Sequence, residues 1–571
     1  MGTGEMGSRE NHVEMGNGNV VHHDDKASSN GAAFGIKEDH INKEEDGFDK
    51  ALEAAGSWGP WQHRFFVIAA FSQVFTAMHS VAAVFLSAVP KHWCQVPELH
   101  HPNISLSHEE IKNISIPWIN AKYSSCDYLN HNYSALASHV RNVDSGLGFN
   151  LNSFMEDDEI NTHMSDQTLN CQNWIFDTSE FQSTVVSEWS LVCVQRYLGT
   201  SVQASYMGGL LVGSLIMGQI SDKYGRRKTT MISVSVSMLC AILASIVPAF
   251  EAFLALRFIV AAMGAGMMVT NFVLVMELVE PDARSSTGMW YAIPYGLGIS
   301  TVSMLSYFIR SWRFLQLTLG CTSAILLLYY WLLPESPRWL MSKGRPNEAL
   351  DVLKRVASGN KRKLPKDEEM LNYLRLGKLK ENYFRRRCLK GRSFLPHRPD
   401  TKETPSEGSG FLGMLRSQLS LVRTPIMRRR CLISFFIWFV GSTTYYGLTF
   451  SGGNIKANLF LMVFISGVVE VPACIISPWM LRRIGRRATM CILFIGSGSA
   501  CLLILAVPVE RVMINLILAN VGKFFISAAF QMSYIYTSEL TPTGVRNIAV
   551  GTSSMWARVG TILSPFIVDF L

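Results

Sequence analysis

The sequence predicts an all-α membrane protein built from two related helical bundles, and three observations carry that prediction. Apolar residues gather into runs of about 20 with few charges, long enough to cross a hydrocarbon core about 30 Å thick as helices. A tight basic turn between two such runs occurs once in each half: Asp222-Lys223-Tyr224-Gly225-Arg226-Arg227-Lys228, and Leu481-Arg482-Arg483-Ile484-Gly485-Arg486-Arg487. Glu277 and Arg284 repeat the spacing of Glu539 and Arg546 at equivalent places in the two halves, as a duplication would. With 48% hydrophobic and 17% charged residues among 571, the chain holds more apolar material than one soluble core requires.

The elements follow in order. Residues 1–55 are polar, lack an apolar leader segment, and are expected to form a disordered cytosolic tail. The N-terminal bundle, 56–340, has spans near 65–90, 199–220, 229–249, 252–276, 286–309 and 313–333. Residues 334–430 carry about two dozen Lys and Arg against roughly ten Asp and Glu, which places the linker at 341–430 in the cytosol. Within it, 341–380 reads as short amphipathic helices with Ala349, Leu350, Leu353 and Val356 on one side, and 388–410 as a flexible stretch rich in Pro, Gly and Ser. The C-terminal bundle, 431–571, has spans near 431–450, 456–478, 489–508, 512–537 and 547–571.

Counting spans puts residues 91–198 outside the cell, and their content agrees. Asn103, Asn113 and Asn132 each begin a glycosylation sequon, and Cys94, Cys126, Cys171 and Cys193 form an even set suited to an oxidising compartment. Four cysteines allow three pairings, and the sequence does not choose among them. The net charge of +8 is read as topology determinants beside anionic lipid, with no nucleic acid as partner. No metal-ligand spacing, phosphate-binding loop or cluster of nucleophile, base and orienting group appears, so neither a metal, a cofactor nor an enzyme is expected.

Further motifs turn this outline into a resemblance. The turn from Asp222 to Lys228 resembles the major facilitator signature. Pro334-Glu335-Ser336-Pro337-Arg338-Trp339-Leu340 resembles that of the organic cation, anion and carnitine carriers within that superfamily, the solute carrier 22 family. Trp58-Gly59-Pro60-Trp61-Gln62, Ser187-Glu188-Trp189-Ser190-Leu191-Val192-Cys193 and the segment from Ser538 to Asn547 stand in the same order. The resemblance spans residues 56–571 and implies a major facilitator fold of two six-helix bundles. The twelfth helix is then expected to be missing from these residues.

Physical reasons stand beside these motifs. Gly218 and Asp222 share a helix face, where Gly218 would permit close helix approach and Asp222 could cap or pair across a gate. Arg226 and Arg227 could bridge to Glu277 or Glu335. These residues, with Arg284, Arg338, Glu539 and Arg546, are the candidate latch of an alternating carrier. Arg482 stands where Asp222 stands in the first half, so the two turns should not latch alike.

Polar and aromatic side chains that interrupt the spans mark the expected substrate site: Tyr295, Trp438, Tyr445, Tyr446, Gln531 and Tyr534, a group suited to an ammonium ion. The resemblance implies that such positions line a central cavity. Arg558 lies inside the eleventh span, where an arginine costs at least about 2.5 kcal/mol unless something uses it. The resemblance implies an aspartate there in cation carriers and an arginine in anion and carnitine carriers. Arg558, assisted by Lys523, would bind a carboxylate unless Glu470 neutralises it. His79 reads as a packed or cavity-lining histidine. The expected function is transport of small organic ions across the plasma membrane, with a carnitine-like zwitterion or an amine conjugate favoured. The alternatives are a polyspecific organic cation carrier and a transport-dead membrane protein that binds a ligand or partner. Coupling to sodium or protons is left open.

Overall fold

The computed structural model describes residues 47–56, 58–99, 107–119, 122–131, 133, 134, 137, 167–375, 425–450, 458–508, 510–541 and 546–570. Each predicted span is helical over most of its described residues. Helix α1 (Gly47–Ala55) precedes the first span, α2 (Pro60–Val81), which Ala83–Leu86 continues; α3 (Arg196–Tyr224), α4 (Arg226–Ile246) and α5 (Phe250–Leu278) follow. The fifth span comprises α6 (Pro281–Trp290) and α7 (Ile293–Phe308), and the sixth α8 (Trp312–Thr322) and the tighter turns after it. Two shorter helices, α9 (Pro337–Ser342) and α10 (Pro346–Gly359), lead to the second half: α11 (Pro425–Phe450), α12 (Leu459–Ile484), α13 (Arg486–Ala506), α14 (Val512–Leu540) and α15 (Arg546–Phe570).

Departures from the expected elements have local causes. The fifth span breaks at Tyr291 and Ala292 because Pro294, in the first turn of α7, lacks an N–H and its ring excludes the carbonyl four residues back. The tail expected to be disordered through residue 55 is helical from Gly47. Phe48, Ala51, Leu52 and Ala55 recur at helical spacing and are buried with Leu340 of α9 and with Leu350, Leu353 and Val356, the apolar side of α10. Gly218 does not serve close packing, since a Cβ there would meet nothing. Gly213, about 140° around the helix, does so instead: a Cβ on it would lie 2.2 Å from the Ala262 carbonyl oxygen of α5. The stretch 388–410 lies outside the described residues.

Among the described residues, eight spans are long and apolar enough to cross a membrane by composition. The three others, in α3, α7 and α15, are shorter or less apolar, and through them the halves meet. Helix α3 lies along α15, and α7 along α12. A helix that faces other helices needs less apolar surface than one that faces lipid, which explains their polarity. At the α7–α12 crossing the backbones come so close that a Cβ on Gly296 would stand 2.8 Å from the Gly467 carbonyl oxygen.

One end of the molecule is disulfide-bonded and the other basic. The segment between α2 and α3 forms three short antiparallel ladders: β1 (His92–Cys94) pairs with Trp174–Phe176, Trp118–Ile119 with Lys122–Tyr123, and Asp127–Leu129 with Thr168–Asn170. Disulfides join Cys94 to Cys171 and Cys126 to Cys193, selecting one of the three pairings the sequence allows. At this end Phe460, in the first turn of α12, stacks on Phe85 (5.6 Å between centroids) and packs against Phe181 and Tyr307, so the two halves touch there. Asn113 is described, and its side-chain oxygen accepts a hydrogen bond from the Tyr123 hydroxyl. Asn103 and Asn132 lie outside the described residues.

Candidate functional site

The expected substrate residues divide into those at the junction of the halves and those committed to packing. The Tyr295 hydroxyl in α7 lies 3.4 Å from the Tyr446 hydroxyl in α11, one half facing the other. Trp438 is fully buried, donates its indole N–H to Thr537 Oγ1 at 2.9 Å, and meets Tyr534 edge-on with centroids 4.4 Å apart. These contacts join α11 to α14. Gln531 and Tyr534 are half-buried on α14.

Tyr445 belongs to a charged cluster. Its hydroxyl donates to Glu470 Oε1 at 2.5 Å, and Lys523 Nζ lies 3.1 Å from the same oxygen and 3.2 Å from the centroid of the Tyr445 ring. Lys523 also donates to the Tyr445 carbonyl oxygen at 3.3 Å. Glu470 therefore neutralises Lys523 and not Arg558, and Lys523 does not assist Arg558 as expected. The Tyr445 ring already faces an ammonium group, that of the protein's own lysine.

Arg558 is half-buried in α15, its Nε has no hydrogen-bond partner, and among the described residues no carboxylate pairs with it. It interacts electrostatically with Tyr206 of the first half and Tyr534 of the second. Tyr206, which the sequence alone does not mark, packs in one buried cluster with Tyr445 and Tyr446 and so belongs to the junction. Arg257, a charge within the apolar α5, carries the same sequence signal as Arg558. It is fully buried with its guanidinium 4.8 Å from the Tyr206 ring centroid. Since Lys523 and Glu470 cancel, the interior described here carries the uncompensated positive charge of two arginines.

The candidate latch residues gather at the basic end, but they bind within their own halves. Arg226 meets Glu277 (2.9 Å) and Asp222 (2.8 Å), while Glu335 accepts the backbone N–H of Arg226 at 2.7 Å and of Arg227 at 3.3 Å. The carboxylate of Glu335 thus caps the start of α4 instead of pairing with an arginine side chain. Arg284 does not bridge to Glu277; it donates to the carbonyls of Met276 and Val279 that end α5 and reaches Asp49 of α1 at 3.3 Å, with Arg338 3.9 Å from the same carboxylate. In the second half Arg486 pairs in a fork with Glu539 at 2.8 and 3.0 Å. The side chain of Arg546 lies outside the described residues. Arg482 donates across the halves to Ser286 Oγ at 2.9 Å.

Residues 185–565 match the sequence pattern of the Major Facilitator Superfamily. Among curated proteins, the chain is 30% identical over 523 residues to the "Organic cation transporter protein" of Drosophila melanogaster, covering 91% of this chain and 86% of that one. It is 30% identical over 522 residues to human "Solute carrier family 22 member 13" (91% and 85% covered), and 29% identical over 534 residues to human "Organic cation/carnitine transporter 2" (91% and 86% covered). Among solved structures, a partially occluded inward-open form of the xylose transporter XylE from E. coli superposes with a TM-score of 0.51 at 13% identity, covering 89% of this chain and 93% of that one, a likeness of fold. Motifs, helical architecture and relatives agree: the chain belongs to the solute carrier 22 family of the Major Facilitator Superfamily, and is a multi-pass membrane transporter and not an enzyme.

Proposed function

We propose that the protein carries small organic ions bearing a carboxylate, a carnitine-like zwitterion foremost, by alternating exposure of the junction between its halves. The observation that supports this is Arg558: a guanidinium inside a membrane-spanning helix that no carboxylate among the described residues neutralises. Glu470, the acidic group that could have done so, is held by Lys523 at 3.1 Å. A substrate carboxylate supplies the missing charge and suits the planar fork of arginine. Tyr206, Tyr295, Tyr446 and Tyr534 around the junction offer ring faces for the ammonium end. A substrate that is only a cation would meet net positive charge there, which disfavours the polyspecific cation reading.

The basic end faces the cytosol and the disulfide-bonded end the exterior, in keeping with the charge bias and the oxidising chemistry of a disulfide. The protein then works in the plasma membrane with its N-terminus in the cytosol. Uptake of a labelled carnitine-like zwitterion and of a carboxylate-free quaternary amine, in cells expressing the chain with and without Arg558→Asp, tests the reading. Losing a charge-assisted bidentate contact worth about 2–3 kcal/mol should lower zwitterion uptake roughly 30- to 150-fold and spare the amine. Equal uptake of both compounds before and after substitution would refute it.

A further inference from the structure

The outer turns of α12 are buried in the opposite half of the molecule. Val463 is 1% exposed within the core of the N-terminal bundle, and Leu459 and Phe460 pack against the same cluster. The Phe460 ring stacks on Phe85, at the end of the first span, with planes 9° from parallel. Phe181 and Tyr307 close around it at 5.4 and 5.8 Å between centroids, and the Arg310 guanidinium lies 6.0 Å from its centre. This aromatic box is braced from the disulfide-bonded segment: the Gln182 N–H donates to the Arg310 carbonyl and the Trp312 N–H to that of Ser183, each at 3.1 Å.

A seam runs inward from the box. Ser303 Oγ of α7 donates to the Phe460 carbonyl, Ser300 Oγ donates to the Phe464 carbonyl at 3.1 Å, and Gly296 lies against Gly467. Numbers fall along α7 as they rise along α12, so the two helices run antiparallel from the box to Gly296, the neighbour of Tyr295 at the junction. The seam is made of ring faces, apolar side chains and hydroxyl-to-carbonyl bonds, and these part without stranding a polar group. Ser300 Oγ also lies 3.4 Å from the Gly296 carbonyl of its own helix, an alternative acceptor that serines in helices commonly use. A carbonyl oxygen has two lone pairs, so Phe464 keeps a helical bond when the serine leaves.

We infer that Phe460 is the outer gate of the carrier: its ring plugs the disulfide-bonded end, and α12 must withdraw it from Phe85, Phe181 and Tyr307 before a substrate reaches the junction from outside. At the basic end the bond from Arg482 to Ser286 joins the halves, and the two contacts open in turn. The inference rests on the alternating exposure proposed above but on no particular substrate, so cysteine labelling tests it without transport. Ser300→Cys, beneath the box, is treated from outside the cell with a membrane-impermeant methanethiosulfonate, with and without Phe460→Ala; the chain lacking the added cysteine gives the background of native thiols. Loss of the ring contacts should favour the open outer end and speed labelling roughly tenfold. Leu461→Ala, beside the plug but 49% exposed, should leave the rate unchanged.

A second reporter separates a gate from a loosened bundle. Ser286→Cys, reached from the cytosolic side in inside-out vesicles, should label more slowly with Phe460→Ala, because opening the outer end closes the inner one. Unchanged labelling at Ser300→Cys, an equal rise with Leu461→Ala, or faster labelling at both ends would each overturn the inference. Should Phe460→Ala not reach the cell surface, Phe460→Leu takes its place. It keeps most of the apolar volume and loses the ring faces, and the same directions at the two reporters are expected.

Discussion

The two basic turns of this transporter share a spacing, a glycine and a pair of arginines, yet they are built to different strengths. In the first, Arg226 is 9% exposed at its side chain and meets both Asp222 and Glu277, while Glu335 returns from the sixth span to cap the two N–H groups at the start of α4. In the second, Arg486 is 55% exposed and among the described residues pairs with Glu539 alone, and the place of Asp222 is taken by Arg482, which reaches across to Ser286 in the other half. Duplication thus preserved the backbone while the charges diverged. The first turn is a clasp within its bundle; the second leaves an arginine free to touch the opposite one.

The largest test of that difference removes the shared arginine from each turn. Arg226→Ala leaves Glu277, itself only 14% exposed, without its partner, and should cost about 3 kcal/mol. Arg486→Ala breaks a solvent-screened pair and should cost far less. Thermal unfolding of the two purified variants compares them directly, and equal losses would show that the turns are equivalent after all.

The glycines sharpen the comparison at a smaller scale. Gly225 (φ +108°, ψ 157°) and Gly485 (φ +87°, ψ 167°) occupy a region that only glycine enters readily, so alanine at either should cost about 1–3 kcal/mol through the backbone. Only at Gly225 does the added Cβ also collide, 2.5 Å from Glu335 Oε2 and 3.1 Å from the Trp339 ring; at Gly485 it meets nothing. Gly225→Ala should therefore lose roughly 1 kcal/mol more than Gly485→Ala in the same melting experiment. The reverse order would mean that Glu335 does not hold its place over the turn.

What the sequence disclosed follows the same division between local and long-range causes. Spans, turns, the even cysteine set and the amphipathic side of α10 are written in periodicity and residue type, which need no partner to be read. Partners were not legible. Glu470 and Arg558 both interrupt apolar runs and so read as partners in sequence, but only packing α11, α12 and α14 together shows Lys523 between Glu470 and the Tyr445 ring. Trp438 has the composition of a cage residue, and its burial against α14 depends on which face of α11 turns inward. Helix α1 was readable from its own spacing of Phe48, Ala51, Leu52 and Ala55, yet the polar composition of the preceding residues concealed it.

The smallest effect concerns the proton. Burial raises the Glu335 carboxyl above its ordinary value of 4.5, although the N–H groups of Ser336, Arg226 and Arg227 and the charge of Arg226 pull the other way. A carboxyl whose value is higher in the folded than in the unfolded chain binds its proton more tightly when folded, so its contribution to stability falls as pH rises through the window between the two values and is regained on acidification. Glu335→Gln removes that titration. On lowering the pH from neutrality through the raised value toward 4.5, the wild type should gain in melting temperature relative to Glu335→Gln. No carboxylate caps the start of α13 among the described residues, so this pH dependence belongs to the first turn alone. A gap that moves in favour of Glu335→Gln on acidification would mean that the hydrogen bonds to the carboxylate outweigh its burial, making the clasp a charge-held cap that acid releases.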